Sequence, residues 1–266
     1  MSAELAKRDC VQMILSGTAS GVIGASYVAR LAGIHHCLSL DIGGTSADVA
    51  FIEHGEPRYG IGELIGEFPI YVPTVAVTSI GAGGGSIAWL DEFGVLQVGP
   101  QSAGANPGPA CYGRGGVDAT ITDAMAVLGI VGQAPLGYQS IEVELEQARA
   151  VVGALAERLD MTEPQTAQAI IDIAVSEMYL QVSKLASRYG IDMREFSLLA
   201  FGGAGPMLGG LLAAELGVGE VMVPATPGVL SALGVHDVPS LTIEIGKIGV
   251  KGDESFDNCA VGLDAL

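Results

Sequence analysis

Positive charge is what this chain has least of: 12 Lys and Arg face 30 Asp and Glu, for a net charge of −18. Nucleic-acid backbones and anionic membranes are gripped by basic patches, so the balance argues against both as partners. Long apolar runs are missing as well. The mean hydropathy is +0.47, yet no stretch of 18 uninterrupted apolar residues occurs. The richest segment, 198–216, is broken by Gly202, Gly203, Gly205, Pro206, Gly209 and Gly210, as a buried core segment would be. The first residues lack the basic-then-apolar order of a secretory signal. Cys10, Cys37, Cys111 and Cys259 lie far apart without Cys-x-x-Cys spacing, which argues against a zinc or disulfide framework and for reduced thiols in a cytoplasmic protein.

Glycine, in contrast, is abundant, with 39 residues gathered in clusters. In a chain that is 49% apolar and 16% charged, and therefore expected to fold, each cluster is a candidate ligand loop. The most informative is Leu-Asp-Ile-Gly-Gly-Thr-Ser-Ala-Asp-Val at 40–49, flanked by apolar runs that read as strand, turn, strand. An ordinary Gly-Gly hairpin is one reading. A phosphate loop is the other: Gly43 and Gly44 let backbone N–H groups approach an anion, while Thr45 and Ser46 add hydroxyls. Asp41 and Asp48 could hold Mg²⁺, directly or through its waters.

Along the chain, Ser16-Gly17-Thr18-Ala19-Ser20-Gly21 reads as a loop, followed by a helix over 22–31 with Gly33 as its C-cap. His35 and His36 are expected in a loop before the first strand. A strand over 70–77, interrupted by Pro73, leads to the loop Gly81-Ala82-Gly83-Gly84-Gly85-Ser86. A hairpin at 87–98 and a long irregular loop at 101–116 come next. A loop of that length inside a domain points to a ligand site. A helix is expected over 120–130 with Thr122 as N-cap, then an acidic helical stretch from 140. A long helix follows, capped by Thr162, started by Pro164 and ended by Gly190. Strand 196–201, loop 202–206, helix 207–216 and strand 221–223 follow the logic of an α/β nucleotide fold. Cys111 is read as a packed thiol because no base accompanies it. Arg114 either faces an anion or is solvated. His236 and Asp237 are read as a surface or interface pair.

Three passages, 40–49, 79–116 and 200–234, together with Thr122-Asp123-Ala124, resemble the hydantoinase A and oxoprolinase family of the actin-like ATPase superfamily over nearly the whole chain. The resemblance implies a ribonuclease-H-like, actin-like α/β lobe over 1–245, helical near 140–190, with a tail at 246–266. It implies ATP and Mg²⁺ as cofactors. Residues 41–48 would be the second phosphate loop, with Asp41 and Asp48 catalytic and Asp41 on the metal. Gly202, Gly203 and Gly205 would form the adenosine loop, and Gly83, Gly84, Gly85, Ser86, Arg114 and Asp123 the substrate-side loops. The implied activity is ATP-dependent hydrolysis of a cyclic amide. A ketone carboxylase subunit, a non-catalytic assembly module and a chaperone-type ATPase of the same superfamily are the alternatives. Implied partners are a small-molecule substrate, a domain or subunit carrying the first phosphate loop, and a hydantoinase B-type subunit; a homo-oligomer is a further arrangement. The chain is expected to be a half-site that turns over little alone. It also departs from the family pattern: an Asp and a His before the triple glycine and a His after Gly-Pro are replaced by Ala76, Thr78 and Leu208, and Thr18 follows Ser16-Gly17.

Overall fold

The computed structural model describes residues 7, 16–60, 63–65, 68–70, 74–132, 142–234 and 247–249. A mixed sheet of seven strands organises them. In chain order the main elements are helix α1 (Ser16–Leu31), strands β1 (His36–Ile42), β2 (Ala47–Glu53), β3 (Glu56–Pro57), β4 (Thr78–Ile80), β5 (Ser86–Leu90) and β6 (Leu96–Ser102). Helices α2 (Ile121–Val127), α3 (Leu145–Leu159) and α4 (Glu163–Tyr189) follow, then β7 (Ser197–Phe201), α5 (Gly205–Leu216), β8 (Glu220–Met222), α6 (Leu230–Leu233) and β9 (Lys247–Gly249). The sheet order is β9-β8-β7-β1-β2-β3, with β4 also pairing to β2. An antiparallel β1–β2 hairpin beside parallel β7 and β8 is the order of a ribonuclease-H-like, actin-like lobe.

Helices cover both faces, so the central strands are apolar in both directions. On one face Leu38, Leu40, Val49, Phe51, Leu198 and Ala200 pack under α2, α3, α4 and α5. On the other, Cys37, Ala50, Ile52, Leu199 and Phe201 pack under α1 and α6. Strand periodicity therefore puts Asp41 and Asp48 on the α1–α6 face, since both lie in register with the second set.

Helix ends follow the expected chemistry with one correction. Thr162 and Gln165 form a capping box at the start of α4, and Gly190 ends it in the left-handed region at φ 68°. The cap of α2 is Thr120, not Thr122: Thr120 and Asp123 bond each other's backbone N–H groups, in the Thr-x-x-acid box at 120–123. A second correction concerns 16–21, which are helical. Three glycines weaken α1 by about 1 kcal/mol each relative to alanine, but its packing needs two of them, Gly21 and Gly24. A Cβ on Gly24 would lie 2.8 Å from the Leu230 carbonyl oxygen, and one on Gly21 would lie 3.3 Å from the Phe201 ring. Tertiary contact overrides propensity here. His36 also belongs to β1 rather than to the preceding loop. The strand expected over 70–77 is divided: Phe68–Ile70 and Thr74–Val75 are separate short strands, and 71–73 lie outside the described residues. His236, Asp237, Cys10, Cys259 and most of the tail also lie outside them.

Helix α5 crosses β7 at Gly209, where a Cβ would come within 2.6 Å of the Ala200 Cβ. That neighbour is anchored in the strand and cannot swing aside. Alanine would gain about 1 kcal/mol of helix propensity, but overpacking costs about 1–3 kcal/mol. Gly209→Ala is expected to destabilise the chain by about 1 kcal/mol in urea unfolding; an unchanged or raised midpoint would contradict this packing.

Candidate functional site

The turn at 43–46 closes on itself, with the Gly43 N–H donating to the Ser46 carbonyl at 2.9 Å. The triple-glycine loop is then laid against it, backbone to backbone. Gly84 N–H donates to Gly43 O at 2.9 Å and Gly85 N–H to Gly44 O at 2.7 Å. A Cβ on Gly83 would lie 2.6 Å from Ser46 N and from Thr45 C, so side chains are impossible along this seam. Ser86 is buried, and its hydroxyl accepts the Gly83 N–H at 2.9 Å. The third loop joins through the Ala204 N–H, which donates to the Ile42 carbonyl at 2.9 Å, and Gly202 sits at φ 83° with its Cα facing the Asp41 carboxylate. Three glycine loops that are distant in sequence thus meet at the end of β1.

A cavity of about 520 Å³ opens beside this junction. Gly43, Gly44, Thr45, Gly84, Gly85 and Gly203 line one part of it, and Pro109, Tyr112, Val131 and Met207 are among its apolar walls. Arg114 also lines it and is the cation among its described lining residues. Among the described residues the N–H groups of Gly44, Thr45 and Gly203 have no hydrogen-bond partner. Backbone donors gathered at a tight turn form a ready anion site.

The loop at 101–116 is ordered, and Asp123 explains how. This carboxylate is fully buried. It accepts the N–H groups of Cys111 at 2.7 Å, Ala110 at 3.3 Å and Thr120 at 2.9 Å, and the Thr120 hydroxyl at 2.7 Å. Asp123 therefore fastens the loop to α2 and does not reach the cavity, unlike the substrate-side role expected of it. Cys111 is buried beside it, and burial, with the Asp123 charge second, pushes its thiol far up. Burial likewise pushes the Cys37 thiol up to about 12. Both are packed thiols.

Asp41 and Asp48 lie across β1 and β2 from one another, on the face opposite the main core. Asp41 accepts a hydrogen bond from the Ser231 hydroxyl at 3.2 Å, and Asp48 accepts one from the Ser79 hydroxyl. Burial raises the Asp41 carboxyl above the usual carboxylate range, the Ser231 bond pulls it back, and the Asp48 charge raises it again. No cation pairs with either acid among the described residues, and no group of three or more His, Cys, Asp or Glu there could hold a metal ion. A pair of half-buried, mutually repelling carboxylates short of a full ligand set fits Mg²⁺, which takes one or two carboxylates and completes its shell with water and phosphate oxygens.

Of the residues singled out in the sequence, Gly43, Gly44, Thr45, Gly84, Gly85, Gly203 and Arg114 line the cavity. Gly83, Ser86 and Gly202 build its frame, and Gly205 opens α5. Asp41, Asp48, Ser46 and Asp123 are not among the lining residues. Tyr112, Met207, Val131 and Ser231 were not singled out in the sequence; no spacing signal marks them, because contacts between distant segments place them. Ala76 and Thr78 leave no acid or imidazole before the triple glycine, and Leu208 is fully buried in the core.

The family model described as hydantoinase/oxoprolinase matches residues 1–237. The chain is 39% identical over 229 residues to caprolactamase subunit alpha of Pseudomonas jessenii, covering 86% of this chain and 33% of that one. It is 33% identical over 244 residues to 5-oxoprolinase 1 of Arabidopsis thaliana, covering 84% of this chain and 19% of that one. The nucleotide-free structure of acetone carboxylase, from a study of ATP-dependent acetone carboxylation, superposes with a TM-score of 0.75 at 31% identity, over 82% of this chain and 31% of that one. The chain thus spans a third or less of these relatives. No helix among the described residues is long and apolar enough to cross a membrane.

Two outcomes follow for the carboxylates. Asp123→Asn turns an acceptor into a donor facing N–H groups, and leaving buried donors unpaired around a former charge costs about 3 kcal/mol or more; a midpoint unchanged in urea would contradict the staple. Asp41 has the opposite sign. Its folded-state proton affinity exceeds that of the unfolded chain, so its ionisation costs stability as pH rises above the ordinary carboxylate value. Asp41→Asn is expected to raise the thermal midpoint of the ligand-free chain at neutral pH and to leave it unchanged near pH 3; a lowered neutral-pH midpoint would contradict this.

Proposed function

The chain belongs to the hydantoinase/oxoprolinase family, and from that membership we propose that it is the nucleotide-holding lobe of an ATP-dependent enzyme acting on a cyclic amide. The observation that carries this reading is the turn at 43–46, which borders the cavity, has N–H groups without a partner among the described residues, and has two carboxylates on the other face of the hairpin. ATP would supply a phosphoryl group to the amide oxygen, which removes the amide's resonance so that water can add at its carbon; the ring C–N bond then breaks with the nitrogen leaving as the amine, and hydrolysis of the remaining acyl phosphate releases carboxylate and phosphate.

The residues of this chain have separate tasks. The N–H groups of Gly44, Thr45 and Gly203 hold phosphate oxygens without a side-chain charge, and Arg114 offsets part of the remaining charge. Asp41 and Asp48 would hold Mg²⁺, directly or through its waters, and the cation would offset the phosphate charge as phosphoryl transfer requires. Ser231 and Ser79 fix the two carboxylates. The absence of an acid or imidazole at Ala76, Thr78 and Leu208 leaves proton transfer to groups outside these positions. The opposing phosphate loop, and a hydantoinase B-type subunit, would be supplied by partners.

A ketone carboxylase is the second reading, favoured by the similarity to acetone carboxylase. An ATPase rate that depends on bicarbonate would select it over amide hydrolysis. For the lobe itself, calorimetric titration with ATP is expected to give weak binding that strengthens with Mg²⁺ and is accompanied by little turnover. Asp41→Asn should keep binding in the absence of Mg²⁺ and lose the strengthening by Mg²⁺. Tight binding with brisk hydrolysis by the chain alone would refute the half-site reading.

A further inference from the structure

The cavity is chemically two-ended, and only its glycine part has so far been given an occupant. The other part is built from Tyr112, Val131, Met207 and Pro109, from three separate segments, with little polarity. Three features make it a constructed wall rather than an incidental gap. Tyr112 ends the short 3-10 turn Ala110–Tyr112, whose first two N–H groups are held by the buried Asp123 carboxylate. Its ring is packed at the edge against Gly108, which lies at φ 81° and whose Cβ would stand 3.6 Å from Tyr112 Cδ2. Burial raises its phenol above the ordinary value while Thr122 beside the hydroxyl pulls it back, so the ring is a fixed, half-buried neutral surface. Met207, one turn into α5, adds a polarizable thioether, a group suited to aromatic contact.

An amphipathic ligand fits such a cavity: a polyanion for the N–H groups and a flat aromatic group for the wall. Resting on the reading of the turn as a phosphate site, we propose that Tyr112, Met207 and Val131 form the nucleobase platform of this lobe, with the Tyr112 ring as its main stacking surface. The loop at 101–116 thereby serves nucleotide recognition, not the cyclic amide. Its long irregular course is the means by which a ring from outside the sheet reaches the cavity.

The test separates base from phosphate by titrating the full chain with MgATP and, in parallel, with inorganic tripolyphosphate. Tyr112→Phe is expected to bind both as the parent does. Tyr112→Ala is expected to bind ATP roughly tenfold more weakly while its tripolyphosphate affinity stays unchanged. Tyr112→Leu keeps apolar bulk without the aromatic face, guards against loss of folding, and should behave as the alanine variant does. The phosphate control is Gly44→Asp, which puts a carboxylate at the turn where a Cβ meets nothing within 4 Å; it should weaken both ligands. Parental ATP affinity in Tyr112→Ala and Tyr112→Leu, with both ligands lost in Gly44→Asp, would overturn the platform and leave the nucleotide reading standing. Full ATP and tripolyphosphate binding by Gly44→Asp, or no binding of either by the parent, would overturn both.

Discussion

The site depends on a seam in which two stretches of backbone touch with no side chain between them. Gly84 and Gly85 donate to the carbonyls of Gly43 and Gly44, and Gly83 passes so near Thr45 and Ser46 that even a methyl group could not be inserted. The seam occupies the carbonyls of Gly43 and Gly44 and leaves the N–H groups of Gly44 and Thr45 without a partner among the described residues. In the proposed function these neutral donors form the anion site of a chain with few basic residues to spare. In the proposed function, a dipolar cradle without net charge would hold phosphate with help from a cation, which the two carboxylates would bring.

That placement is a consequence of strand periodicity. Residues 42 and 47 point toward the main core, so 41 and 48 must point the other way, across the same hairpin. The carboxylates and the cavity thus lie on opposite sides of one turn. The carboxylate side is packed by α1 and α6, where Gly21 and Gly24 allow close approach and Ser231 reaches Asp41. The cavity side is closed by a loop that Asp123 fastens from below. Burial of Asp41 is unfavourable for the free lobe and, in the proposed function, becomes useful once a cation is bound, a conflict between stability and function.

Much of the fold was legible in the sequence because its signals are local. The apolar runs around Asp41, the Thr-Pro start and Gly end of α4, and the strand, glycine loop, helix, strand order after 196 all reappear. Failures came where distant contacts decide. Residues 16–21 read as a loop because glycine is a poor helix former, whereas their contacts with Phe201, Ser231 and Gly234 hold them in the helix. Thr122 was taken for the cap of α2 although the Thr-x-x-Asp pattern at Thr120 was available. Asp123 read as a ligand residue, since an acid near a glycine loop gives no sign that backbone N–H groups will occupy it. Tyr112 and Met207 carry no motif, and no reading of a single segment could have joined them.

The account stands most directly on where a nucleotide and its cation lie. A crystal structure of this chain with Mg²⁺ and a non-hydrolysable ATP analogue would show both at once. The account predicts phosphate oxygens on the N–H groups of Gly44 and Thr45, the base against Tyr112 and Met207, and the cation on the Asp41 and Asp48 side of the hairpin. A nucleotide bound elsewhere on the lobe, or a cation held inside the cavity with Asp41 and Asp48 uninvolved, would contradict it.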